Sequence, residues 1–585
     1  MDIILKVRRM TAGTAVMHAL ACTVLVSVVL LTSMAVIGTA TADTLTVGSS
    51  GCDYTTIQAA VDAAAEGDTI FVWNGSYTEN VDVDKRLTLR GEGANVVTVT
   101  TANSDDNVFE VTADHVNISG FTATGRGYGK AGIYLGSADN CNIYENNCSN
   151  NYYGTHLSSS SNNTLASNTA SNNYYGTYID YSSNNILAGN TASSNNMIGI
   201  CLYYSSNNTL TKSTTSNNRY GIYLYYSSNN LLKGSTASSN KDYGIRLSSS
   251  SNNTLANNTM SGNAYNFGVY GYSLSECTQN IDTSNTVDGK PIYYWVDQKD
   301  RQIPSDAGFV GIVNGTNITV IDLTLTNNSQ GVLFAYTENS RIDNVTASSN
   351  VGIFLYFSSS NTILNNTASS NSCYGIFLHF SSSNTILNNT ASSNNGIGIV
   401  LVESSSNTLA NNTMNSNDWY GILLDSSSGN GVTCNLVQNN GEVGFQLESG
   451  STGNNITWNN IVANGELQTD GSYRYQFENS QSNAVDAINN FWGSGMNNRT
   501  IDASIHDDEE GHGKVRFYPF ETDPISCDLT PAGPPVFTTA DALIALQIAV
   551  GNREYDSHWD VNGDGKVTSL DALMIMKATV EAISQ

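Results

Sequence analysis

Gly375-Ile-Phe-Leu378, then a Ser/Asn stretch, the apolar pair Ile386-Leu387, Asn-Thr and another Ser/Asn turn form one block of a repeat. The block returns as Gly154-Thr-His-Leu157, Gly176-Thr-Tyr-Ile179, Gly221-Ile-Tyr-Leu224 and Gly421-Ile-Leu-Leu424. Leading glycines fall at 132, 154, 176, 199, 221, 244 and 268, then at 331, 352, 375, 398, 421 and 444, spacings of 21 to 24 residues. A fixed period of this size marks a solenoid. Within a block apolar residues alternate, Ile222 and Leu224 inward with Tyr223 outward, which is a strand pattern. Gly, Ser, Asn and Thr are poor helix formers, so a helical array is excluded. Each block therefore reads as one coil of three short strands in an all-β parallel β-helix. Asn163, Asn185, Asn208, Asn230 and Asn253 recur at one turn and are expected to stack as a ladder.

Outside the repeat the composition changes. Residues 1–42 read as a signal peptide: Lys6, Arg8 and Arg9, an apolar run from Ala19 to Ile37, then Ala40-Thr41-Ala42 as a cleavage site. The run is long enough that an uncleaved anchor is the alternative; after cleavage no membrane span is expected. The chain carries 51 acidic against 24 basic residues, a net charge of −27, which argues against nucleic acid. Eight cysteines follow the leader, scattered and without a CxxC, and no pairing of Cys141 with Cys148 is expected.

Residues 43–110 read as an N-terminal cap and first coils, with a short amphipathic helix over Tyr54–Ala65 that closes the open sheet edge. The first array runs over 111–275, an interruption expected as a hairpin-like excursion over 276–310, and a second array with a C-terminal cap over 311–523. Trp492 is expected to cap the last coil. A linker, 524–535, leads to a distinct module, 536–585. The helix and the strands that follow it resemble the start of pectin-lyase-like right-handed β-helices, which implies a right-handed, single-stranded parallel β-helix. The array, its interruption and the ending Asn489-Asn490-Phe491-Trp492-Gly493 resemble the NosD-like surface β-helix proteins of methanogenic archaea over roughly 50–525.

Asp560-Val-Asn562-Gly-Asp564-Gly565-Lys566-Val-Thr568-Ser-Leu-Asp571 is an EF-hand-like calcium loop. Side-chain oxygens stand at positions 1, 3, 5, 9 and 12, the Lys566 carbonyl at 7 and a glycine at 6. A helix is expected directly after it. Thr538-Thr-Ala-Asp541-Ala-Leu543 repeats Thr568-Ser-Leu-Asp571-Ala-Leu573, so the module is a duplicated loop–helix pair. It resembles a type I dockerin, which implies Ca²⁺ as cofactor and a cohesin-like or other cell-surface protein as partner. The first loop has Ala532 and Pro534 where ligands belong, so one calcium is expected. Ser569 and Leu570 match the partner-reading positions loosely.

Three further groups are candidates on the solenoid. Glu403, Asp425 and Glu448 fall at nearly equivalent places in successive coils, the weak catalytic candidates; close carboxylates bind a cation or act as an acid–nucleophile pair, and solvated turn residues are the plainer reading. His506, Asp507, Asp508 and His512 form a weak second metal candidate, for which the resemblance implies copper and the acidic oxygens favour calcium. Tyr134, Tyr178, Tyr223, Phe354 and Phe377 recur outward two residues after glycine, a ladder suited to stacking sugar rings or to covering the sheet. Sequons such as Asn74-Gly-Ser and Asn317-Ile-Thr come with the repeat and are candidate glycan acceptors in a secreted chain. The expected protein is a secreted cell-surface β-helix that binds carbohydrate or adheres, tethered through the calcium module. A polysaccharide lyase or glycoside hydrolase is the alternative, and a structural envelope component the third reading.

Overall fold

Short apolar stretches with a two-residue period cannot bury a helical stripe, and each block closes instead into a coil of strands. The computed structural model describes residues 42–469, 471–507, 511–527, 539–551, 566–569, 572, 573 and 575. All but Ala42 of the expected signal peptide lies outside them. Contacts divide the chain into two units, one of residues up to Asn361 with Thr367–Ser381, the other of Thr362–Asn366 with Ser382 onward.

In the first unit the long strands Ala131–Gly136, Tyr153–Ser158, Tyr175–Asp180, Ile198–Tyr203, Tyr220–Tyr225, Tyr243–Ser248 and Tyr265–Tyr270 pair parallel and in register. A second face stacks Asn142–Tyr144, Thr164–Ala166, Ile186–Ala188, Thr209–Thr211, Leu231–Lys233 and Thr254–Ala256. A third stacks Thr191–Ser193, Thr214–Ser216, Thr236–Ser238 and Thr259–Ser261. This is a right-handed parallel β-helix, as expected. One coil drives Ile222, Leu224, Leu232 and Ala237 fully out of water; each of the larger side chains contributes about 1.5–3 kcal/mol.

The leading glycines have a steric cause. A Cβ on Gly176 would stand 2.5 Å from the Gly199 carbonyl oxygen and 2.8 Å from Asn195 Nδ2. Asparagine pairs divide the turn between them. Asn162, Asn184, Asn207, Asn229 and Asn252 take left-handed φ of 55–60°. The residue after each, Asn163 to Asn253, is buried, and its side chain accepts the backbone N–H of the same position in the preceding coil: Asn163 N–H to Asn185 Oδ1 at 2.8 Å, Asn185 N–H to Asn208 Oδ1 at 2.8 Å. The expected ladder is therefore present, with left-handed backbone one residue earlier.

The amphipathic segment forms the helix Ile57–Ala63, with Thr56 as N-cap and Ile57, Ala60 and Val61 buried. The Glu79 carboxylate accepts the backbone N–H groups of Ile57 and Gln58, each at 2.9 Å, which satisfies donors that a helix N-terminus leaves open. Over 276–310 a hairpin does occur, Thr286–Val287 antiparallel to Lys290–Pro291 around Asp288-Gly289. The same strand, Thr286–Val287, also pairs parallel with Thr259–Met260, and Lys290–Val296 pairs parallel with Phe309–Val313. Stacking thus continues through the broken period.

The second unit repeats the plan. Ile397–Val402, Tyr420–Asp425, Val443–Glu448, Phe477–Asn479 and Ile505–His506 stack on one face, and Thr385–Leu387, Thr408–Ala410, Gly431–Thr433 and Asn455–Thr457 on another. Trp492 is buried between the rings of Phe477 and Phe517, centroids 6.2 and 6.4 Å away. A disulfide joins Cys434 to Cys527 across 93 residues, while Cys141 and Cys148 are free and buried. Near the end, helix Thr539–Ala549 supplies Ala545 to a small cluster with Val567, Ala572 and Ile575.

Candidate aromatic and acidic ladders

Register turns sequence position into columns. Tyr134, His156, Tyr178, Cys201, Tyr223 and Arg246 occupy one outward column of the first unit. Cys201 thus takes the place of a tyrosine, as read from the sequence. Tyr134, Tyr178 and Tyr223 are half-buried, Phe377 is half-buried, and Phe354 is only 2% exposed, leaving no ring face for a ligand. His156 Nε2 lies 2.7 Å from Asp180 Oδ1. The Arg246 guanidinium sits over Tyr270 and Tyr243 at 4.4 and 4.7 Å, with Nε donating to Ser248 Oγ at 3.0 Å.

Further aromatic rings lie at the turns that flank this column, some half-buried like it and some exposed. Tyr152 and Tyr174 stack at 4.8 Å and 13°, with Tyr128 edge-on to Tyr152 at 4.7 Å and 88% exposed. These rings, with Arg126 and the amides of Asn150, Asn172 and Asn196, line an open hollow of about 530 Å³. At the other end of the long strands Tyr181, Tyr204 and Tyr226 form a second stack, 5.4 and 4.9 Å apart at 12° and 10°. All three hold left-handed φ of 46–49° at the exposed turn. Tyr336, Phe357 and Phe380 repeat that device at 4.9 and 4.7 Å, both at 8°. None of these turn rings follows from counting outward strand positions.

In the second unit Asp425 registers with Glu448, which places their carboxylates one coil apart, about 5 Å. Glu403 does not join them: Asp425 registers with Val402, and Glu403 lies one residue further, exposed in the turn at φ 47°. The ladder continues instead toward Glu478, which registers with Gln446 and with His506. Gln446 Nε2 donates to Glu448 Oε1 at 3.2 Å and to Ser480 Oγ at 2.9 Å; Ser480 Oγ donates to Glu478 Oε1 at 2.6 Å. His506 Nδ1 stands 3.3 Å from Glu478 Oε1. Burial first, then the Asp425 charge, raises the pKa of Glu448, against the Gln446 hydrogen bond. Tyr420, Glu442, Glu466, Tyr475 and Glu478 line an adjoining hollow of about 310 Å³.

Among the expected metal ligands, His506 and His512 rings lie 5.6 Å apart and Asp507 Oδ2 accepts the Val515 N–H at 2.7 Å; Asp508 lies outside the described residues. Among the described residues no three His, Cys, Asp or Glu side chains gather as a metal-ligand set. In the calcium loop Asp560, Asn562, Asp564 and Asp571 lie outside the described residues. Lys566 is exposed, Thr568 is half-buried, and the Thr568 carbonyl accepts the Ala572 N–H at 3.4 Å as a helix begins.

A parallel β-helix with asparagine ladders and surface ladders of aromatic and acidic side chains defines the class. The chain matches the family described as periplasmic copper-binding protein (NosD) over residues 61–271, 194–304 and 298–498, and it belongs to that family. Residues 543–579 match the dockerin type I domain. A cell surface glycoprotein of Methanothermus fervidus is 35% identical over 109 residues, 17% of this chain; the match spans 18% of that protein's length. Among solved structures, the catalytic domain of a GH87 alpha-1,3-glucanase in complex with nigerose superposes with a TM-score of 0.33 at 15% identity, covering 63% of this chain and 68% of that one. The pectate lyase Pel9A gives 0.33 at 17%, covering 50% and 80%.

Proposed function

We propose that this chain is a secreted, cell-surface β-helix protein that binds polysaccharide at the Tyr128–Tyr152–Tyr174 hollow and is tethered by a calcium-dependent dockerin-like module to a cohesin-like partner. The hollow carries the reading. It offers flat ring faces, the Arg126 guanidinium and a row of side-chain amides, the combination that holds a sugar by stacking and hydrogen bonds. The family, the dockerin match and the relative's description as a cell surface glycoprotein support a surface location. The Cys434–Cys527 disulfide suits an oxidising compartment.

The test is retention of the protein, with calcium, on a panel of acidic and neutral polysaccharides, scored together with release of reducing ends and unsaturated products. Replacing Tyr152 and Tyr174 by alanine is expected to abolish retention. Retention that survives both changes refutes the hollow as the site. The Asp425–Glu448 pair, in which burial and then the facing Asp425 raise the pKa of Glu448, favours a second reading as a glycoside hydrolase or lyase. Product release lost in Asp425→Asn and Glu448→Gln would establish it.

A further inference from the structure

One corner of the first unit repeats in six successive coils with a left-handed asparagine, at Asn140, Asn162, Asn184, Asn207, Asn229 and Asn252, all with φ between 55° and 60°. Each is exposed, and each precedes a buried ladder residue. The residue two further on starts the next strand, and these residues are in register: Asn142, Thr164, Ile186, Thr209, Leu231, Thr254. An acceptor sequon, Asn-x-Thr, therefore exists at Asn162, Asn207 and Asn252 and is absent at Asn140, Asn184 and Asn229. The alternation is strict. The breaking residues are not dictated by packing, since Ile186 is 47% exposed where a threonine stands in the next coil.

The geometry gives the alternation a reason. Neighbouring coils are about 4.8 Å apart, and neighbouring amides of this corner touch: Asn252 Nδ2 donates to Asn229 Oδ1 at 2.7 Å. Two sugars cannot leave adjacent amides without occupying the same volume, whereas alternate coils give about 10 Å. We propose that Asn162, Asn207 and Asn252 carry N-linked glycans, one on every second coil, forming a glycan row along this corner. The co-reactant is a lipid-phosphate-linked oligosaccharide. The acceptor Nδ2 forms a bond to the anomeric carbon, the sugar–phosphate C–O bond breaks with its electron pair leaving on the lipid phosphate, and one amide proton passes to base. The product amide keeps one N–H. Asn207 lies three residues after exposed Tyr204, so its glycan emerges beside the ring stack.

The same spacing rule acts in the second unit. There sequons at Asn365, Asn388 and Asn411 fall on adjacent coils, and the acceptors are hydrogen-bonded in series, Asn388 Nδ2 to Asn365 Oδ1 at 3.3 Å and Asn411 Nδ2 to Asn388 Oδ1 at 2.8 Å. No molecule should carry glycans at two adjacent members of that series. The experiment is glycopeptide mass spectrometry on the protein from its natural source. Sugar mass on the peptides of Asn162, Asn207 and Asn252 is expected. Unmodified asparagine at all three overturns the proposal. Thr209→Val, which removes the sequon and leaves both asparagines, should lose only the Asn207 glycan. Ile186→Thr completes a sequon at Asn184; it should stay unmodified until Thr164→Val and Thr209→Val clear its neighbours. Simultaneous full occupancy at Asn162, Asn184 and Asn207 overturns the spacing.

Discussion

Asn207 and Asn208 are adjacent, chemically identical, and put to opposite uses. The Asn208 side chain is buried; it accepts the Asn185 N–H at 2.8 Å and donates to the Ser182 carbonyl at 3.1 Å. Asn208→Ala strands both groups, and each unsatisfied buried group costs about 1–3 kcal/mol. The Asn207 side chain is exposed, and what matters there is φ of 60°. Asn207→Ala is expected to cost about 1–2 kcal/mol through the left-handed backbone, and Asn207→Gly to be nearly neutral. Denaturant melts of the three variants should rank in that order, Asn208→Ala lowest. Equal loss for Asn207→Ala and Asn208→Ala would contradict the division of labour. Thiols are sorted by the same burial. Cys141 and Cys148, their pKa pushed up to about 11 and about 12 by desolvation, hold almost no thiolate at pH 8. Alkylation of the folded protein at that pH should leave both unlabelled and mark half-exposed Cys52 first.

Among the elements, Glu448 at the end of its strand offers a pH test. Its pKa is raised in the fold, so between the ordinary carboxyl value of 4.5 and the raised one the native state binds more protons than the unfolded chain. Stability therefore falls as pH rises through that window. Glu448→Gln removes the charge, and its melting temperature should exceed that of the parent at pH 7 and match it below pH 4.5; no gain at pH 7 would refute the raised pKa that burial first, and then the Asp425 charge, impose on Glu448. That pair was legible in the spacing, since Asp425 and Glu448 each stand four residues after a leading glycine, Gly421 and Gly444. Glu403 stands five after Gly398 and fell out of register for that one residue. Alternation within the strands likewise showed which residues face inward, and with them the coil. Turn rings were not legible, because Ser159 and Ser249 occupy the Tyr181 and Tyr226 position in nearby coils and only backbone φ exposes it. Glu478 and the Cys434–Cys527 bridge follow longer or irregular coils, where no period connects the partners.

At the scale of the whole molecule two kinds of cross-link are separable, the covalent one of the disulfide and the ionic one proposed for calcium. Closing a 93-residue separation by the Cys434–Cys527 disulfide stabilises the second unit by about 4–5 kcal/mol on the chain-entropy account. Reduction should therefore lower an unfolding transition whether or not calcium is present. The proposed calcium site lies elsewhere, at residues 560–571, where the oxygen-bearing side chains of the sequence motif call for a hard cation. Binding to the folded module alone stabilises it by mass action. A net charge of −27 also attracts divalent ions without selectivity, so magnesium at equal ionic strength is the control. Calorimetry with calcium, with magnesium, and with chelator should show one transition that rises only with calcium. It should be lost in Asp560→Ala, while the transition sensitive to reduction stays in place. Identical traces in calcium and magnesium would leave the loop without a specific ion and remove the calcium-dependent tether. A calcium response that survives Asp560→Ala would move the ion from the loop to the acidic surface.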